Sequence, residues 1–414
     1  AWMWDAGRFG YPLFSRVSGA PAAPRQFDVA NNPHGPSLYG WVVEIDPYDP
    51  TWAPRKRTSL GRKKGECATT AIARDGRVAV YMGDDQIDHF VFKFVTEGRF
   101  DPAARLANRD LLDRGTLYAA RFDEDGTGEW VELSVAACNR AVEEAPYHQV
   151  FADAGDVVMR AREAAVLLGA TPMDRPEDVE APVDAQWRGH GFALIVCTNN
   201  RNESFAHPGN PRRGDAQADA SVQQSNVAGH ILRIDEDNAD HAATRFTWDV
   251  FALCGDPEPA ADFTLPGGIA ANVSVDLNGA PTFSGARFTC PDNICFDSAM
   301  NVWIATDGSP AVFPNCNDAV LAAPMNSDGP RPVKRFLVGP VGAEICGPTL
   351  ALDERAFLCS IQHPGESDLE QTSVSELRWR RRQRPPSSFP DGGNSWPRSS
   401  VVIVTREDGG RIGG

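Results

Sequence analysis

Short apolar runs, cut by Gly, Asp, Asn and Pro, recur along most of the chain, and helical periodicity is scarce. This is the pattern of strands joined by tight turns. The stretch "CATTAIARDGRVAVYMGDD" (67–85) reads as strand, Asp-Gly turn, strand and polar stop. The same scheme recurs in "PDNICFDSAMNVWIATDG" (291–308), in "CGPTLALDERAFLCSIQHPG" (346–365) and, with a longer turn, in "RPEDVEAPVDAQWRGHGFALIVCTNN" (175–200). Further strand pairs are "GWVVEID" with "RKRTSLGR", "HFVFKFV" with "GTLYAARF", and "GHILRID" with "RFTWDVFAL". Only 101–112 and 156–168 read as helices, the second ending at a glycine suited to a C-cap.

Repeated hairpins of this kind point to an all-β fold and, among those, to a β-propeller with a few inserted helices. A plain β-sandwich is the competing arrangement. The spacing is irregular and no WD40 signature is present. In a propeller the polar ends of inner strands converge on one mouth of the central channel.

Composition narrows the choice of partner. The 414 residues carry a net charge of −16, and 42% are hydrophobic. A chain this long can bury a large core. A nucleic-acid surface needs clustered cations; the only cluster, Arg378 to Arg384, runs into a Pro- and Gly-rich loop and reads as solvated. No apolar run approaches the ~20 residues of a membrane span. The nine cysteines form no CxxC pair, so a zinc ribbon is not expected.

Acids and amides stand at the ends of the repeated strands. Glu66 precedes the first hairpin, and Asp84 and Asp85 follow it. Arg175 and Glu177 open the second, which closes on Asn199 and Asn200. Asp292 and Asn293 open the third, which closes on Asp307, and Glu344 precedes the fourth. Such hard oxygen donors suit Ca²⁺, Mg²⁺, Mn²⁺ or Fe³⁺. Carboxylates gathered without a cation would repel one another and protonate. No HExxH, GxSxG or GxxxxGK[ST] motif competes with this reading. His363 reads as a turn residue.

Several stretches, in order, resemble the PhoX family of bacterial alkaline phosphatases: "GWVVEIDPYDP", "KRTSLGRKKGECA", "VYMGDD", "MDRPEDVE", "GHILRIDED", "FTWDVFALCGDP", "PDNICFDSAMNVWIATDG", "FLVGPVGAEICGP", "SIQHPGE" and "FPDGGNSWPRSSVVIVTREDGG". The resemblance implies a propeller, six-bladed in the full family, that hydrolyses phosphate monoesters. It implies two oxo-bridged Fe³⁺ ions and Ca²⁺ at the mouth. Carried over by position, Glu66 and Glu177 bind iron, Arg175 holds phosphate, and Asp84, Asp85 and Asp292 are calcium ligands. An exported, periplasmic or secreted monomer acting on small phosphomonoesters is expected.

The chain also departs from the pattern. The family's KHEGA-like stretch is "KKGECA" here, and no counterpart of its upstream LTCEEN-like stretch, with the iron-binding cysteine, is present. The expectation is therefore a chain that lacks the N-terminal part, with 1–39 as an N-terminal segment and 40–414 as one continuous propeller domain complete at its C-terminus. Two other readings share the acidic mouth: a calcium-dependent lactonase-like propeller, and a calcium-binding propeller without catalysis. In "MDRPEDVE", Arg175 and Glu177 lie two apart, so an extended backbone would point both to one side, with Pro176 stiffening the link.

Overall fold

A computed structural model of the chain describes residues 34–145, 149–184, 186, 188–200, 207, 209–213, 226, 228–255, 263–265, 269–271, 283–286, 288–308, 316–327, 329–365 and 385–413. The basic cluster Arg378–Arg384 and residues 1–33 lie outside them.

The predicted hairpins form as read. Nine strands run in the order Pro176–Glu180, Phe192–Cys197, His230–Glu236, Arg245–Leu253, Thr127–Glu132, Gly115–Phe122, Val91–Arg99, Arg77–Gly83 and Thr69–Ile72. The run folds in the middle, where only Arg245–Thr247 and Thr127–Glu129 pair. It therefore makes two blade-like halves joined at their outer edges. A third blade orders Phe283–Gly285, Arg331–Val338, Ala319–Pro324, Asn301–Thr306 and Pro291–Phe296. A fourth pairs Glu344–Leu350, Ala356–Gln362 and Ser400–Thr405.

Alternation along each strand stacks these sheets. In Arg77–Gly83, Ala79 and Tyr81 enter the core shared by the two halves of the first sheet, beside Val179, Ile195, Leu232, Phe246 and Trp248. Val80 and Met82 point the opposite way, to a layer of helices. Leu194, Val196 and Ile231 pack on Val302, Ile304 and Leu321 of the third blade. Its other face, Trp303, Ala305 and Val320, packs on Ile345, Phe357 and Ile361 of the fourth. Sheets buried on both faces have near-continuous apolar strands, which is why "FALIVC" at 192–197 shows no polar position. Face-to-face stacking of successive antiparallel sheets is a propeller-like β fold, as expected from the repeats.

The helices differ from expectation. The predicted helix over 156–168 is two short ones, Ala154–Met159 and Ala161–Leu167, broken at Arg160, whose backbone leaves helical geometry at φ −108° and ψ 32°. Residues 101–112 hold only a 3-10 segment, Ala107–Asp113. The sequence reading missed Val135–Glu144, a helix capped by Ser134, whose hydroxyl accepts the Ala137 N–H.

One buried polar group ties the two halves of the first sheet together. The Lys93 Nζ donates to Glu236 Oε1 at 2.9 Å and to the Ala243 carbonyl at 2.7 Å. Tyr81 Oη donates to the same carboxylate at 2.6 Å, and Trp130 Nε1 donates to it at 3.1 Å. Burial lowers the Lys93 pKa to about 8. Lys93→Met strands the Glu236 charge and is expected to cost roughly 3–5 kcal/mol, whereas a Lys93→Met/Glu236→Leu pair recovers most of it. Urea unfolding of both variants measures the difference.

Candidate metal centre

The mouth is built where the leading ends of the inner strands meet. The segment before Thr69 carries Glu66, Pro176–Glu180 carries Glu177, Pro291–Phe296 carries Asp292, and Glu344–Leu350 opens with Glu344. Each comes from a different blade. Two backbone features bring the first two segments together. A Cβ on Gly83 would lie 2.3 Å from the Pro176 carbonyl oxygen and 2.6 Å from that of Glu177, so only glycine allows this approach. Cys67 Sγ then accepts the N–H groups of Gly83 and Val179, both at 3.2 Å, and fixes the chain beside Glu66. Asp178 Oδ2 accepts the Ile294 N–H at 2.8 Å and joins the second blade to the third.

Arg175 does not sit on a continuous strand. Met173–Asp174 pairs with Ile87–His89, Pro176–Glu180 pairs with Phe192–Cys197, and between them Arg175 takes φ +54°. The expected extended alternation is thus replaced by a left-handed kink before Pro176. Arg175 and Glu177 still converge, because the kink turns the guanidinium across the strand end. It grips Asp85 through Nε to Oδ1 at 2.8 Å and Nη2 to Oδ2 at 3.1 Å, and Nη2 also donates to Glu177 Oε1.

Asp84 goes elsewhere. Its two oxygens accept from Arg162 Nε and Nη2, both at 2.7 Å, from the Lys64 N–H at 2.7 Å, and contact His89 Nδ1 at 3.0 Å. These bonds occupy the carboxylate on the side facing the helices. Asp85, one residue on, faces the mouth.

The remaining acids crowd one another. Burial pushes Glu177 up to about 7, with Asp85 adding to the rise and Asp292 and Arg175 opposing it. Glu66 is solvent-exposed at its surface, yet the surrounding protein, Asp85 and Glu344 raise it to about 7 as well. Burial and then Glu177 raise Asp292 well above the usual carboxylate range, and burial and then Glu344 do the same to Asp307. Burial also acts upward on Glu344, but His363 and Cys346 outweigh it and leave its pKa lowered. Glu66, Asp85, Glu177 and Asp307 thus act on one guanidinium, and Asp292 and Glu344 complete the cluster through their interactions with those acids.

Two observations fit this set to a bound cation. Glu177 Oε2 is buried and makes no hydrogen bond of good geometry among the described residues, although Thr198 and Asp292 stand near enough to lower the Glu177 pKa. Donor atoms of Asp292, Glu344 and Cys346 all lie within 4.8 Å of one another. Glu66 and Glu177 are outside that trio, although both act electrostatically on Arg175 and Asp85. The sequence reading missed Cys346 and took His363 for a turn residue. His363 Nε2 lies 3.0 Å from Glu344 Oε2, and Gln362 Nε2 donates to the same oxygen at 2.7 Å. The one available signal was that this hairpin register pairs Glu344 with Gln362.

Behind the mouth, Glu180 is raised from 4.5 to about 8 and Asp178 from 3.8 to about 6, burial leading in both. A carboxyl with a raised folded pKa holds its proton longer folded than unfolded, so its stabilisation is full below the unfolded value and is lost as pH rises through the folded one. The chelator-treated protein is expected to lose melting temperature between about pH 4.5 and 8, and Glu180→Gln should flatten that decline. Thermal melts across the range check it.

The model of the alkaline phosphatase PhoX family matches residues 5–365. Among solved structures, that of Pseudomonas fluorescens PhoX in complex with vanadate, a transition state analogue, is similar at 35% identity and a TM-score of 0.71, covering 94% of this chain and 61% of that one. The chain thus spans 61% of the length of that phosphatase. The periplasmic gluconolactonase of Pseudomonas aeruginosa covers 77% of this chain and 70% of its own, at 9% identity and a TM-score of 0.28. No curated protein matches the chain.

Proposed function

Because this chain belongs to the alkaline phosphatase PhoX family, we propose that it is a metal-dependent hydrolase of phosphate monoesters, acting at the mouth formed by Glu66, Asp85, Arg175, Glu177, Asp292 and Glu344. The observation that carries the reading is the buried Glu177 Oε2 beside Arg175, without a hydrogen bond among the described residues, in a ring of carboxyls from four blades. A phosphate dianion cannot enter six acids unless cations outweigh them.

Glu66, Glu177 and Asp292 are assigned as metal donors, with Asp85 and Glu344 at the rim; following the resemblance, the ions are iron and calcium. Asp84, saturated by Arg162 and His89, is assigned to anchoring the loop that carries Asp85. Metal ions held there supply Lewis acidity at the phosphoryl oxygens and lower the pKa of the attacking water. Arg175 holds phosphate: its planar fork, which spans both Asp85 oxygens, matches two phosphoryl oxygens equally well. Glu177 steers that fork through its other oxygen. In phosphoryl transfer positioned positive charge is most of what the protein contributes.

The substrates are small phosphomonoesters, the residues from 40 to 414 act as one propeller unit, and export to the periplasm or beyond follows the family. Among the described residues no helix is long and apolar enough to cross a membrane. The test is hydrolysis of p-nitrophenyl phosphate by the full chain loaded with iron and calcium. Turnover that EDTA abolishes and the metals restore is expected; a metal-loaded chain that does not turn over sinks the assignment.

A further inference from the structure

Four features converge on Cys346. Its Sγ donates to Glu344 Oε1 at 2.8 Å, so thiol and carboxylate sit together on one face of their strand. A register shift in the hairpin falls between Cys346 and Thr349. Such bulges re-aim side chains. Gly347, at φ +56°, gives its N–H to Asn293 Oδ1 at 2.8 Å and so pins the bulge to the third blade, next to Asp292. Finally, the donor atoms of Asp292, Glu344 and Cys346 fall within 4.8 Å of each other, while the buried Glu177 Oε2, without a hydrogen bond of good geometry among the described residues, has Asp292 as a close acidic neighbour.

A trio of oxygens would favour calcium or magnesium. A thiolate among them changes the preference, because sulfur selects borderline and soft transition ions over hard ones. We propose that Cys346 is a metal ligand, joining Asp292 and Glu344 in a mixed sulfur–oxygen site that takes a divalent transition ion such as Zn²⁺, Co²⁺ or Fe²⁺ and rejects Ca²⁺ at that position. The proposal rests on the mouth being a metal centre. On binding, the Cys346 S–H bond breaks, the metal–sulfur bond forms, and the proton passes to Glu344, already its acceptor, and then to solvent.

The test is a Co²⁺ titration of the full, EDTA-stripped chain. A near-ultraviolet thiolate-to-cobalt charge-transfer band should rise with bound metal. Cys346→Ser should lose that band and weaken Co²⁺ and Zn²⁺ at least about tenfold, leaving Ca²⁺ binding within twofold. In parallel, alkylation of Cys346, read by peptide mass spectrometry on the unmutated chain, should be blocked by Zn²⁺ and not by Ca²⁺. That second reading keeps the proposal testable if the variant folds poorly. Co²⁺ binding without the band, a band that survives Cys346→Ser, or alkylation indifferent to Zn²⁺ overturns the ligand role and leaves the metal centre standing. Failure of the unmutated chain to bind Co²⁺, Zn²⁺, iron or Ca²⁺ overturns both.

Discussion

Arg175→Ala is expected to lower kcat for p-nitrophenyl phosphate by about 10²–10³-fold, the loss seen when one preorganised donor to a developing anion is removed. The guanidinium has the required shape: it already spans the two Asp85 oxygens at 2.8 and 3.1 Å while touching Glu177. Arg175→Lys keeps the charge but not the fork, so it should fall between the two. An exposed surface ion pair is worth only about 0–1 kcal/mol and would leave kcat unchanged. Arg175 is different because Glu66, Asp85, Glu177 and Asp307 all act on it, so its removal should also depress the melting temperature of the chelator-treated protein. With metal bound, that part of the loss should shrink, since the ions neutralise the same carboxylates. An alanine variant with full turnover would remove Arg175 from the mechanism.

Glu177→Gln should act in opposite directions on two measurements. Replacing the anion by an isosteric amide removes the metal donor assigned to Glu177. Altering a group one shell further out typically costs 10–100-fold in affinity, so losing a direct donor should cost at least ~10²-fold. The same change removes a buried carboxyl that Asp85 also raises, and with it the neighbouring charge that helps raise Asp292. The metal-free variant should therefore melt higher than the parent above pH 7, where Glu177 would otherwise be charged. Metal content by elemental analysis and melts in EDTA report the two halves separately. A variant that keeps its metal, or gains no stability without it, contradicts the assignment.

The strand pattern was legible because short apolar runs recur, each bounded by Asp-Gly or similar turns, and neither signal depends on distant residues. Helices were harder. Arg160 breaks what reads as one amphipathic run, gripping Glu163 and Asp156 across the break at 2.7–3.1 Å. The Val135–Glu144 helix has only the Ser134 cap to announce it. At the mouth, the acids at strand ends were visible as a class, and their crowding around Arg175 follows from the stacking of blades. What sequence could not separate was Asp84 from Asp85. The adjacent carboxylates diverge because Arg162, nearly eighty residues away, captures the first while Arg175 captures the second. Nor could it find His363 and Cys346, whose role is set by one shared neighbour, Glu344.

Since Glu66, Glu177, Asp292 and Glu344 each ride on a separate blade, the full set of assigned donors exists only once all four have stacked, while the Asp292, Glu344 and Cys346 trio needs two. On the proposed assignment, full loading should follow the docking of all four blades. Stripping the ions should in turn loosen the seams between blades before any single sheet begins to melt.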